Sequence, residues 1–246
     1  MARTLLRTRG VTLHAYPTMF GVGCVAGIIA ATLLAPWLGL APGRTYAAFV
    51  ILLIPALLGS RILHVAVRWR EFRSQPHRLW RTSDGGMALY GGLALMLLTS
   101  VLLLPVLRLP VVAFWDAAAV VILIGMAFTK VGCHLNGCCA GRPSTGWLAI
   151  ELTNSRGERA RRVPTQLLES ALAVLLLALA LWTRARFELP GSLFLVATTG
   201  YGFGRFVLEG ARESVDRIGG VSVHRTISAA LSATSALFLW LGITNR

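Results

Sequence analysis

Charge is scarce in this sequence, and acidic charge scarcest: 14% of its 246 residues are charged, with 10 aspartates and glutamates against 24 lysines and arginines. Soluble domains carry about 25% charged residues, so a chain this poor in charge and 55% hydrophobic cannot keep its whole surface in water. Lysine is all but missing, Lys130 being the single one. Repeats, low-complexity tracts and any separate hydrophilic stretch are missing too, so residues 1–246 read as one membrane domain. The net charge of +14 does not point to nucleic acid, because the arginines sit in short connectors and form no basic module. Contact with anionic lipid is the better reading. Four cysteines leave disulfide formation open, since spacing alone does not fix pairing.

What the sequence does have is long apolar runs, and a mean hydropathy of +0.67. Runs near residues 18–38, 46–64, 87–107, 112–129, 165–182, 189–208 and 226–243 are each close to the roughly 20 residues a helix needs to cross the hydrocarbon. The expected fold is therefore all-α, a polytopic membrane protein of about seven transmembrane helices. Pro36, Pro55 and Pro105 are positioned to kink or end their helices. Arg3, Arg7 and Arg9 resemble the basic start of a signal peptide, but the run that follows is too long for a signal core and has no convincing cleavage site. A retained first helix is expected.

With seven spans, Arg44, Arg108, Arg184, Arg186 and Arg246 fall on the carboxy-terminal side, and nearly all other cations fall on the amino-terminal side. The positive-inside rule then makes the amino terminus cytoplasmic.

Ionisable groups inside spans are costly and are suspects for function: Arg61, Asp116, Lys130, Glu169, Arg205 and Glu209. Structural ion pairing is the competing reading, open for Asp116 and Arg61. Arg205, Glu209 and Arg212 follow one another by four and three residues, so a continuing helix puts them on one face, where two guanidiniums and an orienting carboxylate suit a phosphate. The densest constellation is Lys130-Val-Gly-Cys133-His134-Leu-Asn136-Gly-Cys138-Cys139-Ala-Gly141-Arg142-Pro143, where the fourth span meets the longest connector. A helix persisting to His134 places Lys130, Cys133 and His134 on one face. Cys133, Cys138 and Cys139 are open to two readings, small apolar packing residues or reactive thiols beside a cation. Metal-ligand chemistry is present, but the spacing is not that of paired zinc knuckles, and adjacent Cys138 and Cys139 need a sharp turn to share an ion. No metal and no cofactor is expected. Gly200, Gly202 and Gly204 read as close helix packing rather than a nucleotide loop.

Several ordered segments resemble the prolipoprotein diacylglyceryl transferase family over roughly residues 13–216. Leu13-His14-Ala-Tyr16 resembles the family's aromatic segment before the first membrane helix, and Gly59-Ser-Arg61-Ile62 its Gly-Arg-Ile turn. Asp84-Gly-Gly-Met87-Ala-Leu-Tyr90-Gly-Gly92 is similar to its Gly-Gly-Met-Ser-Phe-His-Gly-Gly segment, Pro164-Thr-Gln166-Leu-Leu-Glu169 to Pro-Ser-Gln-Leu-Tyr-Glu, and Gly204-Arg205-Phe-Val-Leu-Glu209 to Phe-Arg-Phe-X-X-Glu. The family signature, Arg-X-Gly-Asn-Phe-X-Asn-Gly-Glu with Gly-Arg two residues on, is matched at Gly132, Asn136, Gly137, Gly141 and Arg142. Lys130, Cys133 and Cys138 stand where it has Arg, Asn and Glu, and Tyr90 stands where the family has His.

The resemblance implies a multi-pass protein of the cell (inner) membrane that moves the diacylglyceryl group of phosphatidylglycerol to a cysteine thiol of a lipoprotein precursor or a related nucleophile. It implies phospholipid and a lipoprotein precursor as partners and no nucleic acid. Lys130, Cys133, Asn136, Tyr90, Arg205 and Glu209 become the expected catalytic residues, with His14, Tyr16, Arg61, Gly141, Arg142 and Arg212 binding substrate. A non-catalytic lipid-binding or transport protein on the same fold, or a cysteine- or metal-dependent membrane enzyme, is the alternative. The connector from Trp147 to Val163 is shorter than the family's head. The resemblance also implies that the signature lies outside the cytoplasm, against the charge count.

Overall fold

The computed structural model describes residues 4–8, 11–73, 88–154, 157–213, 217–218 and 221–244. Among them are seven helices of at least 18 residues: α1 Ala15–Leu34, α2 Pro42–Val67, α4 Leu89–Val106, α5 Val111–Asn136, α6 Thr165–Phe187, α7 Ser192–Glu209 and α8 Val223–Thr244. A single turn, α3 Trp69–Phe72, follows α2. Five of the seven, α1, α2, α5, α6 and α8, are long and apolar enough to cross a membrane, and α4 is a shorter apolar helix. In lipid every backbone N–H and C=O must find an internal partner, which a helix supplies along its length. Large apolar side chains accordingly point outward without penalty, Leu33 and Leu102 being 76% and Val106 78% exposed.

Each expected span falls on one of these seven helices, with shifted ends. The first begins earlier and stops at Leu34, because Pro36 opens a 3₁₀ turn Pro36–Leu38 that closes on Gly39. Pro55 is accommodated inside α2, and Pro105 sits in the last turn of α4. The fourth span runs seven residues further than the apolar pattern suggests, to Asn136, carrying the signature residues on helix rather than loop. Gly85, Gly86 and Met87 of the glycine-rich segment lie outside the described residues.

The helix α5 is the centre of the bundle: half of its most apolar window is buried inside the protein, the largest share of any span. It packs along α1, α6 and α7, while α2 pairs with α4 and α7 with α8. The α2–α4 pair meets at Gly59 and Gly91, where an added Cβ on either would come within 2.3 Å of the other's carbonyl oxygen. Only glycine permits that approach. The glycine run of α7 packs as read from sequence, a Cβ at Gly202 falling 2.7 Å from the Ser228 oxygen of α8.

Short antiparallel hairpins cap the end of the bundle that carries the amino terminus: β1 Thr4–Thr8 with β2 Val11–His14, β3 Ile150–Thr153 with β4 Arg159–Arg162, and β5 Arg217–Ile218 with β6 Val221–Ser222. Buried Arg162 ties the middle hairpin to the α7–α8 connector through Glu213 at 2.8 Å, and Asn154 Nδ2 reaches both Glu158 and Glu213. The far end is fixed by Asp116. Its two oxygens accept the backbone N–H groups of Gly191 (2.7 Å) and Phe194 (3.0 Å), so a carboxylate of α5 caps the first turn of α7. Arg184 stands 3.8 Å away. Asp116 is thus a structural residue. Asp116→Ala strands two buried N–H groups at about 1–3 kcal/mol each, and we expect a clear fall in the thermal unfolding midpoint in detergent, with a smaller fall for Asp116→Asn. An unchanged midpoint in Asp116→Ala would remove this capping role.

Candidate functional site

The site begins where α5 stops. Gly137 takes a left-handed conformation (φ 72°) after Asn136, and a Cβ there would meet the Thr153 carbonyl at 2.9 Å, so this helix end requires glycine. The chain then turns again at Cys139, whose φ of 61° is unusual for a residue with a side chain. The turn is held from several sides. Cys138 N–H donates to Cys133 O (3.1 Å), Gln166 Nε2 to Cys138 O (2.7 Å) and Thr165 Oγ1 to Cys139 O (2.9 Å). Just beyond, Gly141 N–H donates to Val163 O and Arg142 N–H to Ala211 O (2.8 Å). The first turn of α6 and the segment after α7 therefore clamp this loop against the end of α5.

Behind the loop lies a buried ion cluster centred on Glu169 of α6, which is 1% exposed. Lys130 Nζ pairs with its Oε2, while Arg205 and Arg212 each place Nη1 3.2 Å from Oε1. Arg205 also reaches Glu209 Oε2 at 2.8 Å, and Ser222 Oγ donates to Glu209 Oε1. Three cations facing two carboxylates leave one positive charge in excess. A buried cluster of this kind is stable only when its charges are paired and hydrogen-bonded, and the surplus suits one further anion.

Lys130, Arg205 and Arg212 also line a cavity of about 560 Å³, within the roughly 300–1,000 Å³ typical of small-molecule sites. Its polar end includes Arg61, His64 and His224, and its other end is apolar, walled by residues such as Ile28, Phe49, Leu52, Met96 and Ile122. Tyr90 lines it with its hydroxyl 2.5 Å from Ser228 Oγ and its ring 5.9 Å from that of His224. Arg61 lies 5.4 Å from the Phe72 ring centre. Hydrogen bonding from the Cys133 and Cys138 thiols, then the charges of Arg212 and Lys130, hold the Cys139 thiol well below its ordinary pKa.

Of the residues singled out from sequence, Tyr16, Arg61, Tyr90, Lys130, Cys133, Asn136, Arg205 and Arg212 converge on this cavity. Glu209 acts through Arg205. His134 is not among the lining residues although it follows Lys130 by four, and His14 sits at the N-cap position of α1, also outside the lining. Gly141 and Arg142 hold the fold: a Cβ at Gly141 would meet Val163 O at 2.3 Å, and exposed Arg142 donates through Nε to the carbonyl of Arg212 (3.0 Å). Arg212 lies beyond the end of α7, so its alignment with Arg205 comes from the loop bridge to Gly141 rather than from helical spacing. Sequence reasoning left Gln166 and Tyr201 out of the site and left Cys138 and Cys139 open between packing residue and reactive thiol. The Pro-Thr-Gln segment at the start of α6 was the available signal for Gln166; nothing in the pattern marked Tyr201.

The profile of the prolipoprotein diacylglyceryl transferase family matches residues 3–241. A phosphatidylglycerol–prolipoprotein diacylglyceryl transferase of Halalkalibacterium halodurans is 29% identical over 97% of this chain and 85% of its own length. Its counterparts in Lactiplantibacillus plantarum (28%, covering 96% and 87%) and Clostridium tetani (25%, covering 92% and 90%) are similar. Glu169→Gln removes the anion that three cations share, and loss of one partner from a buried ion cluster costs about 3–5 kcal/mol. We expect a large drop in thermal stability that added anionic phospholipid partly restores; equal stability with and without lipid would contradict the cluster's role at the cavity wall.

Proposed function

The chain belongs to the prolipoprotein diacylglyceryl transferase family, and on that premise we propose that the cavity binds phosphatidylglycerol and passes its diacylglyceryl group to a cysteine thiol of a lipoprotein precursor, in the cell (inner) membrane. The observation that carries this reading is the two-ended cavity, with three cations at one end and an apolar wall at the other. A phosphodiester placed against Lys130, Arg205 and Arg212 matches the cluster's surplus charge, and the start of the acyl chains then runs between α1, α2, α4 and α5. Arg61 and Asn136 contact the glycerol head group.

In the reaction the acceptor thiolate attacks the glycerol carbon that carries the phosphate. The new C–S bond forms as the C–O bond breaks, and the electron pair leaves on glycerol phosphate. Charge grows on the departing phosphate oxygen, so cations fixed beforehand by Glu169 and Glu209 stabilise the transition state more than the ground state. The acceptor's proton needs a base. His224, a cavity-lining imidazole whose ring adjoins that of Tyr90, takes the proton; Tyr90, in the family's histidine position and bonded to Ser228, stays a neutral phenol beside it. Cys133 and Lys130 form the wall nearest the reacting centre.

Arg205→Ala is expected to lower turnover by about 100- to 1,000-fold per folded molecule, the effect of removing one donor to a developing oxyanion, beyond any loss of folded protein from the buried cluster. The measurement is mass spectrometry of lipid and acceptor peptide after incubation with labelled phosphatidylglycerol. Near-normal turnover would sink the assignment.

For orientation, we propose that the site end faces away from the cytoplasm. Several of the cations that bias the count at this end have partners within the protein: Lys130 and Arg205 are paired with buried carboxylates and Arg162 with Glu213, while Arg159 pairs with Glu151 and Arg142 with a carbonyl at the surface. Such residues hold the fold together as well as bearing on insertion. Terminal reporter fusions are expected to show an external amino terminus and a cytoplasmic carboxy terminus; the reverse would restore the charge argument.

A further inference from the structure

Cys133, Cys138 and Cys139 are drawn together by the fold. Their sulfurs all lie within 4.8 Å of one another, Cys133 is buried, and all three line the cavity. Adjacent cysteines can share an ion only across a sharp turn, and the turn is present: left-handed backbone at Gly137 and at Cys139 flanks Cys138. The carbonyls of Cys138 and Cys139 point away to Gln166 and Thr165, which turns the thiols inward toward Cys133. Of the three sulfurs, Cys138 Sγ donates a long hydrogen bond to Cys133 O (3.7 Å), while the bonds that hold the turn itself come from backbone N–H groups and from Gln166 and Thr165.

We propose that these three thiols form a binding site for one thiophilic d¹⁰ cation of the zinc class. Tetrahedral zinc with bonds of about 2.3 Å holds its sulfurs about 3.8 Å apart, which side-chain rotation of less than about 1 Å reaches from the present positions. Coordination replaces the S–H protons, which leave to solvent, and the resulting anionic complex sits beside Lys130, one helical turn before Cys133, and Arg212. The fourth position faces the cavity, where water or an exogenous thiol completes the tetrahedron. This departs from the expectation of no metal, which rested on sequence spacing. It does not depend on the lipid reading, although the ion would share Lys130 and Arg212 with the lipid phosphate: a chain that never transfers a diacylglyceryl group would still bind it.

The test uses the purified full chain in detergent, reduced with a phosphine, loaded with zinc and dialysed against a weak chelator. One zinc per chain by elemental analysis is expected, with Co(II) giving tetrahedral d–d bands and a thiolate charge-transfer band. Cys133→Ser and Cys139→Ser should each weaken zinc binding by more than the roughly 100-fold that losing a supporting residue costs, while Cys24→Ser retains it. Because a serine variant could misfold, alkylation of the unaltered protein is a second measure: zinc should protect three thiols and leave Cys24 reactive. Substoichiometric zinc in well-folded protein, equal binding in the triple serine variant, or no thiol protection would overturn the site.

Discussion

The buried carboxylate of Glu169 is the interaction on which the rest of the site depends. It is the point where Lys130 from α5, Arg205 from α7 and Arg212 from the following loop meet. Without a shared anion, three cations would repel one another in a region of low dielectric, and their desolvation would oppose the packing of α5, α6 and α7. With it, the cluster's cations stay where a phosphate can meet them. The carboxylate comes from α6, which contributes nothing to the cavity lining, so the residue that organises the cations lies behind the cavity wall.

Local backbone serves the same end. The loop after α5 is short, and its two left-handed residues lie within three positions. Left-handed backbone at Cys139 costs of order 1–3 kcal/mol, and the clamp from Thr165, Gln166, Val163 and Ala211 is what offsets it. Those clamping groups come from α6, from Val163 just before it and from the segment after α7, the last and the first of which also carry Arg212 and Glu169. Loop shape and ion cluster are therefore coupled: shifting α6 would release both.

The fold was legible because hydropathy has one dominant cause in lipid, and seven apolar runs became seven helices. Ends were less legible. Lys130 and Asn136 broke the apolar pattern, yet α5 continues through them because their side chains face a polar cavity rather than lipid. The cationic residues of the site were visible as ionisable groups in apolar segments, and Glu169 stood among them. What spacing could not show was partnership. Arg142 and Gly141 look like substrate contacts in a motif, but in three dimensions they staple two loops; Arg212 looked aligned by helix periodicity, but a β-bridge puts it there. Three thiols within one small sphere could not be read either, because the two turns that gather them depend on distant hydrogen bonds.

The lone lysine is the last step. An arginine at position 130 would present a wide planar fork to Glu169, which already receives one guanidinium nitrogen from each of Arg205 and Arg212 on Oε1. Three forks around one carboxylate compete for the same plane. A lysine ammonium is compact and takes Oε2 alone, leaving Oε1 to the two arginines. One turn on, Cys133 stands in place of the family's asparagine and lines the same cavity. Three departures from the family signature are therefore related in space: Lys130 lies one turn before Cys133, which the loop brings to Cys138 and, beside it, Cys139. A set of substitutions that looks like loss of the motif in sequence is, in the structure, a change in what the same wall of the cavity can bind.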